Sequence, residues 1–90
     1  MYYIITYDVG IERVNRVKKL TREFMKWEQN SVVTGDLSES QTMQLEKRLA
    51  AIIDKDHDHV IIFGIRSKKY IDRKDMGTPK SSMDNDSFFV

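Results

Sequence analysis

The stretch Met1-Tyr2-Tyr3-Ile4-Ile5-Thr6-Tyr7-Asp8-Val9-Gly10 decides how the rest of the chain is read. Its aromatic and β-branched residues mark a strand, and the apolar positions fall on both faces, as in a buried central strand. The strand ends in one carboxylate, Asp8. Such a residue is either a turn or helix-cap residue or a metal or acid site, because burying an ionised Asp without a partner costs several kcal/mol. Downstream, Ile11, Val14, Val17, Leu20 or Thr21, and Phe24 recur at spacings of three and four. That pattern predicts an amphipathic helix with one buried stripe.

From Met25 to Leu37 the period changes to an imperfect alternation that a bulge would explain. No tight hairpin signal lies inside it, so one long bent strand, or two strands joined at a bulge, is expected. Ser38-Glu39-Ser40-Gln41 is a capping-box pattern, and Thr42, Leu45, Leu49, Ile52 and Ile53 follow at helical spacing to about Asp54. Asp54-Lys55-Asp56-His57-Asp58 reads as a polar turn, and His59 to Ile65 as a strand buried on both faces. A basic stretch, Ser67 to Lys74, suggests a helical turn, and Met76 to Ser82 a loop. The apolar end, Ser87-Phe88-Phe89-Val90, is expected to pair as an edge strand, at home or on a partner subunit.

The order strand, helix, extended segment, helix, strand predicts an α+β, ferredoxin-like (split β-α-β) fold: an antiparallel sheet with two helices on one face. The expected division is a ferredoxin-like domain over 1–75, then a loop and C-terminal strand over 76–90 that a partner subunit could exchange. The second sheet face is expected to be uncovered and apolar, which points to a homodimer through sheet faces.

Ninety residues make one small domain, and the absence of Cys excludes disulfides and thiolate metal sites. Asp8 interrupts the first apolar run, so no secretory segment is expected, and no run approaches the ~20 residues of a membrane span. A soluble, cytoplasmic protein without a membrane partner is the expectation. Fifteen basic against fourteen acidic residues leave a net charge of +1, but the charge is clustered. Arg13, Arg16, Lys18, Lys19 and Arg22 face only Glu12 in their segment, and Arg66, Lys68, Lys69, Arg73 and Lys74 only Asp72. Such clusters suit phosphates, although a basic helix face is more often simply solvated.

Several constellations fail on inspection. Asp54, Asp56 and Asp58 begin like a calcium loop, yet His59 stands where the sharp turn needs Gly and Ile65 where a bidentate Glu belongs. His57 and His59, two apart, read as a solvated turn before a strand. No nucleophile elbow or phosphate-cradling glycine loop exists. An acylphosphatase-like hydrolase would need such a loop with an Arg, and Asp8 puts a negative charge there instead. Asp8 remains. Two copies joined through their uncovered faces would bring two Asp8 carboxylates around one hard cation, with waters completing the octahedron. A Mg²⁺ shared in that way could activate water toward a phosphodiester, while Arg13 and Arg16 hold the nucleic-acid backbone.

These residues carry a resemblance. Tyr7-Asp8-Val9, Glu12-Arg13-Val14-Asn15-Arg16-Val17, Trp27-Glu28-Gln29-Asn30-Ser31-Val32, Gly35-Asp36-Leu37-Ser38-Glu39-Ser40-Gln41, Asp58-His59-Val60-Ile61-Ile62 and Arg66-Ser67 resemble the CRISPR-associated protein two family. The resemblance runs nearly end to end. It implies a homodimer of ferredoxin-like fold, a metal near paired Asp8 carboxylates, and C-terminal strands that complete the neighbour's sheet. It implies a metal-dependent endonuclease acting on RNA or duplex DNA, and a scaffold bridging two dimers of the CRISPR integrase during spacer acquisition. By position Tyr7, Asp8, Arg16 and Ser31 are the implied site residues, and Tyr7, Asp8 and Ser31 are the expected catalytic set. Arg13, Arg16, Lys19 and Arg66 are the expected nucleic-acid contacts. Two departures stand out: Val33-Thr34 replaces the family's usual Phe-Glu, and Val14 lies where some members carry a second Arg. A toxin-like ribonuclease of the same fold is the alternative reading.

Overall fold

The computed structural model describes residues 1–80, and over that span the elements follow the expected order, the helical turn after the last strand included. Strand β1 is Tyr2–Asp8, helix α1 Ile11–Phe24, β2 Lys26–Gln29, β3 Val32–Asp36, helix α2 Glu39–Ile52 and β4 His59–Ile65, followed by a 3₁₀ turn at Lys68–Tyr70. The four strands form one antiparallel sheet in the order β2-β3-β1-β4, which puts β1 and β3 in the middle. This is the α+β, ferredoxin-like arrangement that the sequence predicts. Among the described residues no helix is long and apolar enough to cross a membrane.

Side-chain alternation along β1 sorts the two faces. Ile5 pairs with Val33 on one side and Ile62 on the other, and these residues meet Val17 and Leu20 of α1 and Leu45 and Leu49 of α2. That layer is the core, with Ile5, Leu45, Val17 and Val33 fully buried. The even positions Tyr2, Ile4, Thr6 and Asp8 lie on the other face, together with His59, Ile61 and Phe63 of β4. Helix α2 starts where the sequence places it: the Ser38 hydroxyl accepts the Gln41 N–H while the Gln41 side chain accepts the Ser38 N–H. Such reciprocal bonds satisfy two of the four free N–H groups of a first helical turn. Ile11, expected in the buried stripe of α1, is 84% exposed, and the stripe begins instead at Val14.

Two further expectations need correction. The segment from Met25 to Leu37 is a hairpin rather than one bent strand, turning at Asn30 with a positive φ of 45°. Asn tolerates that left-handed backbone better than most residues, so a tight turn forms without glycine. The Trp27 indole N–H donates to the Asn30 carbonyl at 2.9 Å and braces the turn. The imperfect alternation does reflect a bulge, which lies between Trp27 and Gln29.

The second correction concerns the helix-free face, which is only partly bare. Residues 71–79 fold back beside Tyr2, Ile4, Val32 and Thr34, enclosing a cleft of about 500 Å³. An ion pair between Arg73 and Glu28 at 3.0 Å anchors this strap, and the Thr34 hydroxyl donates to Glu28 at 2.5 Å. Burial pushes the Glu28 pKa up, but Arg73 and Thr34 outweigh it and the net shift is downward. What remains open is the β4 side, where Ile61 and Phe63 are exposed. Of the expected 76–90 segment, the loop is described as far as Lys80; the predicted strand over Ser87 to Val90 lies outside the described residues.

Candidate functional site at the end of the first strand

Asp8 is the last residue of β1, exposed, on the face opposite the helices. The backbone that carries it is held by Asp58, which the sequence reading treats only as part of a polar turn. Asp58, its side chain fully shielded from solvent, accepts four donors: the Gly10 N–H at 2.8 Å, the Asp54 N–H at 2.8 Å, and Arg13 through Nε at 2.6 Å and Nη2 at 2.9 Å. A buried carboxylate is tolerable only when paired and hydrogen-bonded in this way. The Arg13 guanidinium and these N–H groups hold the Asp58 carboxyl well below the usual carboxylate range, against the opposing effect of burial. The clasp ties three elements together: the β1–α1 loop, the first turn of α1 and the α2–β4 turn. Gly10 belongs to it, since a Cβ there would lie 2.5 Å from Arg13 Nη2.

Arg13 is therefore withdrawn from its expected role in gripping nucleic acid. Its guanidinium is taken up by Asp58 and Glu12, and its side chain is only 20% exposed. Tyr7 also departs from expectation. Its ring lies in the core on the face opposite Asp8, 5% exposed, and its buried hydroxyl has no well-formed hydrogen bond. Burial raises its pKa, against the opposing effects of the Arg22 charge and the Thr21 hydroxyl nearby. Ser31 does come close: its carbonyl accepts the Tyr7 N–H at 3.1 Å, so the hairpin turn abuts the end of β1.

Arg16 and Lys19 are exposed on α1 and make no ion pair among the described residues. Arg66 follows Ile65, which pairs with Tyr2 at the other end of the sheet. Six residue steps of strand separate the two ends, so Arg66 stands roughly 20 Å from Asp8. Among the other expected cations, Arg22 lies over the Trp27 ring at 4.7 Å and Arg73 pairs with Glu28 and Asp75. The free charge of α1 thus narrows to Arg16, Lys18 and Lys19.

Among the described residues no group of three or more His, Cys, Asp or Glu side chains is placed to hold an ion. A single exposed carboxylate nevertheless suits Mg²⁺, which keeps several waters and takes one or two carboxylates.

A small four-stranded sheet, two helices on one face and a carboxylate displayed at the end of the first strand on the other define a ferredoxin-like protein with a candidate acidic site. The family model described as CRISPR associated protein Cas2 matches residues 1–73. The chain is 44% identical to the CRISPR-associated endoribonuclease Cas2 of Methanosarcina acetivorans over 94% of its length and 98% of that protein. It is 46% identical to the protein of the same name from Methanothermobacter thermautotrophicus, covering 93% and 92% of the two chains. A solved Cas2 crystal structure superposes with a TM-score of 0.82 at 46% identity, covering 90% of this chain and 91% of the other. The chain belongs to the CRISPR-associated protein Cas2 family.

Proposed function

We propose that this protein is a Mg²⁺-dependent endonuclease of CRISPR adaptation that works as a homodimer in the cytoplasm and cleaves RNA or duplex DNA at Asp8. The observation that carries the reading is the placement of Asp8: solvent-facing, without a side-chain partner among the described residues, on a strand end pinned by the Asp58 clasp. The names of the relatives, endoribonucleases in the CRISPR context, point the same way. A second copy across the open β4 side would bring a second Asp8 carboxylate toward the first. When bound, Mg²⁺ supplies a polarised water and neutralises charge on a phosphodiester. The chain itself fixes the carboxylate, keeps its surroundings open to a strand of nucleic acid, and offers Arg16 and Lys19 to the phosphates.

The test is cleavage by Asp8→Asn. Loss of Mg²⁺-dependent cleavage, with the fold and dimer intact, supports the reading; undiminished cleavage by the variant points to a contaminating nuclease and sinks it. A second reading, favoured by the free cations on α1, is a scaffold that grips duplex DNA between integrase dimers without reading sequence. Its binding constant should fall as salt rises from about 50 to 200 mM, and indifference to salt over that range counts against it.

A further inference from the structure

Asp8 and His59 stand directly opposite each other where β1 pairs with β4. Opposed residues in an antiparallel pair carry their side chains to the same face, with Cβ atoms roughly 4.5–5.5 Å apart. Here that is the helix-free face. Both residues are exposed, and among the described residues neither side chain has a hydrogen bond or ion pair. The backbone beneath them is fixed on both strands by one group. Asp58, immediately before His59, turns to the helix side, and its carboxylate holds the Gly10 N–H two residues after Asp8. The nearby His57 is engaged otherwise, with Nδ1 2.9 Å from the Asp54 carboxylate in the turn. The sequence suggests His57 and His59 as neighbours; the sheet register instead pairs His59 with Asp8.

We propose that His59 is a metal ligand beside Asp8, so that the site binds a borderline transition-metal dication as well as Mg²⁺. The proposal rests on the reading of Asp8 as a metal-binding residue and deepens it. Mg²⁺ selects oxygen donors, whereas an imidazole nitrogen favours Ni²⁺, Zn²⁺ and their neighbours. One carboxylate and one imidazole on paired strands form a two-point anchor that the twin-carboxylate picture lacks. Water, or the same two residues of a second copy, would fill the remaining positions.

Calorimetric titration of the full chain with Ni²⁺ alone, and separately with Mg²⁺, tests the assignment. His59→Gln should weaken Ni²⁺ binding at least about tenfold, since loss of a direct ligand should cost no less than loss of an outer-shell partner. The Mg²⁺ titration should be unaffected, and His57→Gln should change neither. Unchanged Ni²⁺ affinity in His59→Gln, or the loss appearing in His57→Gln instead, overturns the proposal. Should His59→Gln fold poorly, paramagnetic broadening in the wild-type protein decides. Broadening centred on the Asp8 and His59 amides supports the site, and broadening centred on Asp54 to His57 refutes it. The nuclease reading stands or falls separately, on cleavage by Asp8→Asn.

Discussion

Phe63→Ala should dismantle a dimer formed through the open side of the sheet while leaving the protomer folded. Phe63 lies on the helix-free face, outside the core cluster, and is 51% exposed. A Phe side chain offers about 200 Å², so about 100 Å² of it remains available to a partner. At about 25 cal/mol per Å² that is ~2.5 kcal/mol for one protomer. A two-fold interface uses the same residue twice, giving ~5 kcal/mol. Alanine keeps its Cβ, which reduces the expected loss to about 4 kcal/mol, a dimer weaker by roughly a thousandfold. Sedimentation equilibrium across a concentration series measures the constant directly, and circular dichroism reports whether the fold persists. A dimer constant within tenfold of wild type, with the fold intact, would refute the use of this face and would place any dimer interface elsewhere.

Three other outcomes follow from the same structure. Asp58 is depressed in the folded protein from its ordinary 3.8, so between that pH and its folded pKa the unfolded chain binds a proton that the native one does not. Its stabilisation is complete above about pH 5 and is lost as pH falls, so a plot of stability against pH below 4 should be shallower in Asp58→Asn than in wild type. Equal slopes in the two proteins would remove Asp58 as the acid-sensitive group. Replacing Arg16 and Lys19 together by Ala should lower the salt slope of nucleic-acid binding by about 2 and weaken binding uniformly across sequences; an unchanged slope would move the contact surface off α1. Arg73→Ala should free the strap over residues 71–79, read as faster tryptic cleavage after Lys74, whereas an unaltered rate would mean that the Glu28 ion pair does not hold it.

The sequence made most of the fold legible because its strongest signals were local. The apolar run from Tyr2 to Tyr7, the capping box at Ser38 to Gln41 and the three-and-four spacing of α1 each name an element with its own short-range physics. The hairpin was missed for a related reason: its turn rests on the left-handed Asn30 and on a Trp27 side chain reaching across it, and neither has the Asn-Gly signature that marks the commonest tight turns. The strap was illegible because it depends on Glu28 and Arg73, which are distant in sequence and joined only by folding.

The candidate site divides along the same line. Asp8 could be singled out because a carboxylate ending an apolar strand breaks a local pattern. Arg13 looked like a phosphate ligand because local charge density cannot show that Asp58, 45 residues away, already holds its guanidinium. The signal for Asp58 was nevertheless present: an acid just before the predicted strand from His59, in a domain whose first helix opens with an Arg, is a candidate partner for that Arg. Once that ion pair forms, the remaining chemistry is constrained. The clasp holds the helix side of both strand ends, and alternation then sends Asp8 and His59 outward together on the opposite face. The placement of Asp8 and His59 is thus set by Asp58 from the other face, and a substitution at Asp58 should disturb both even though it touches neither side chain.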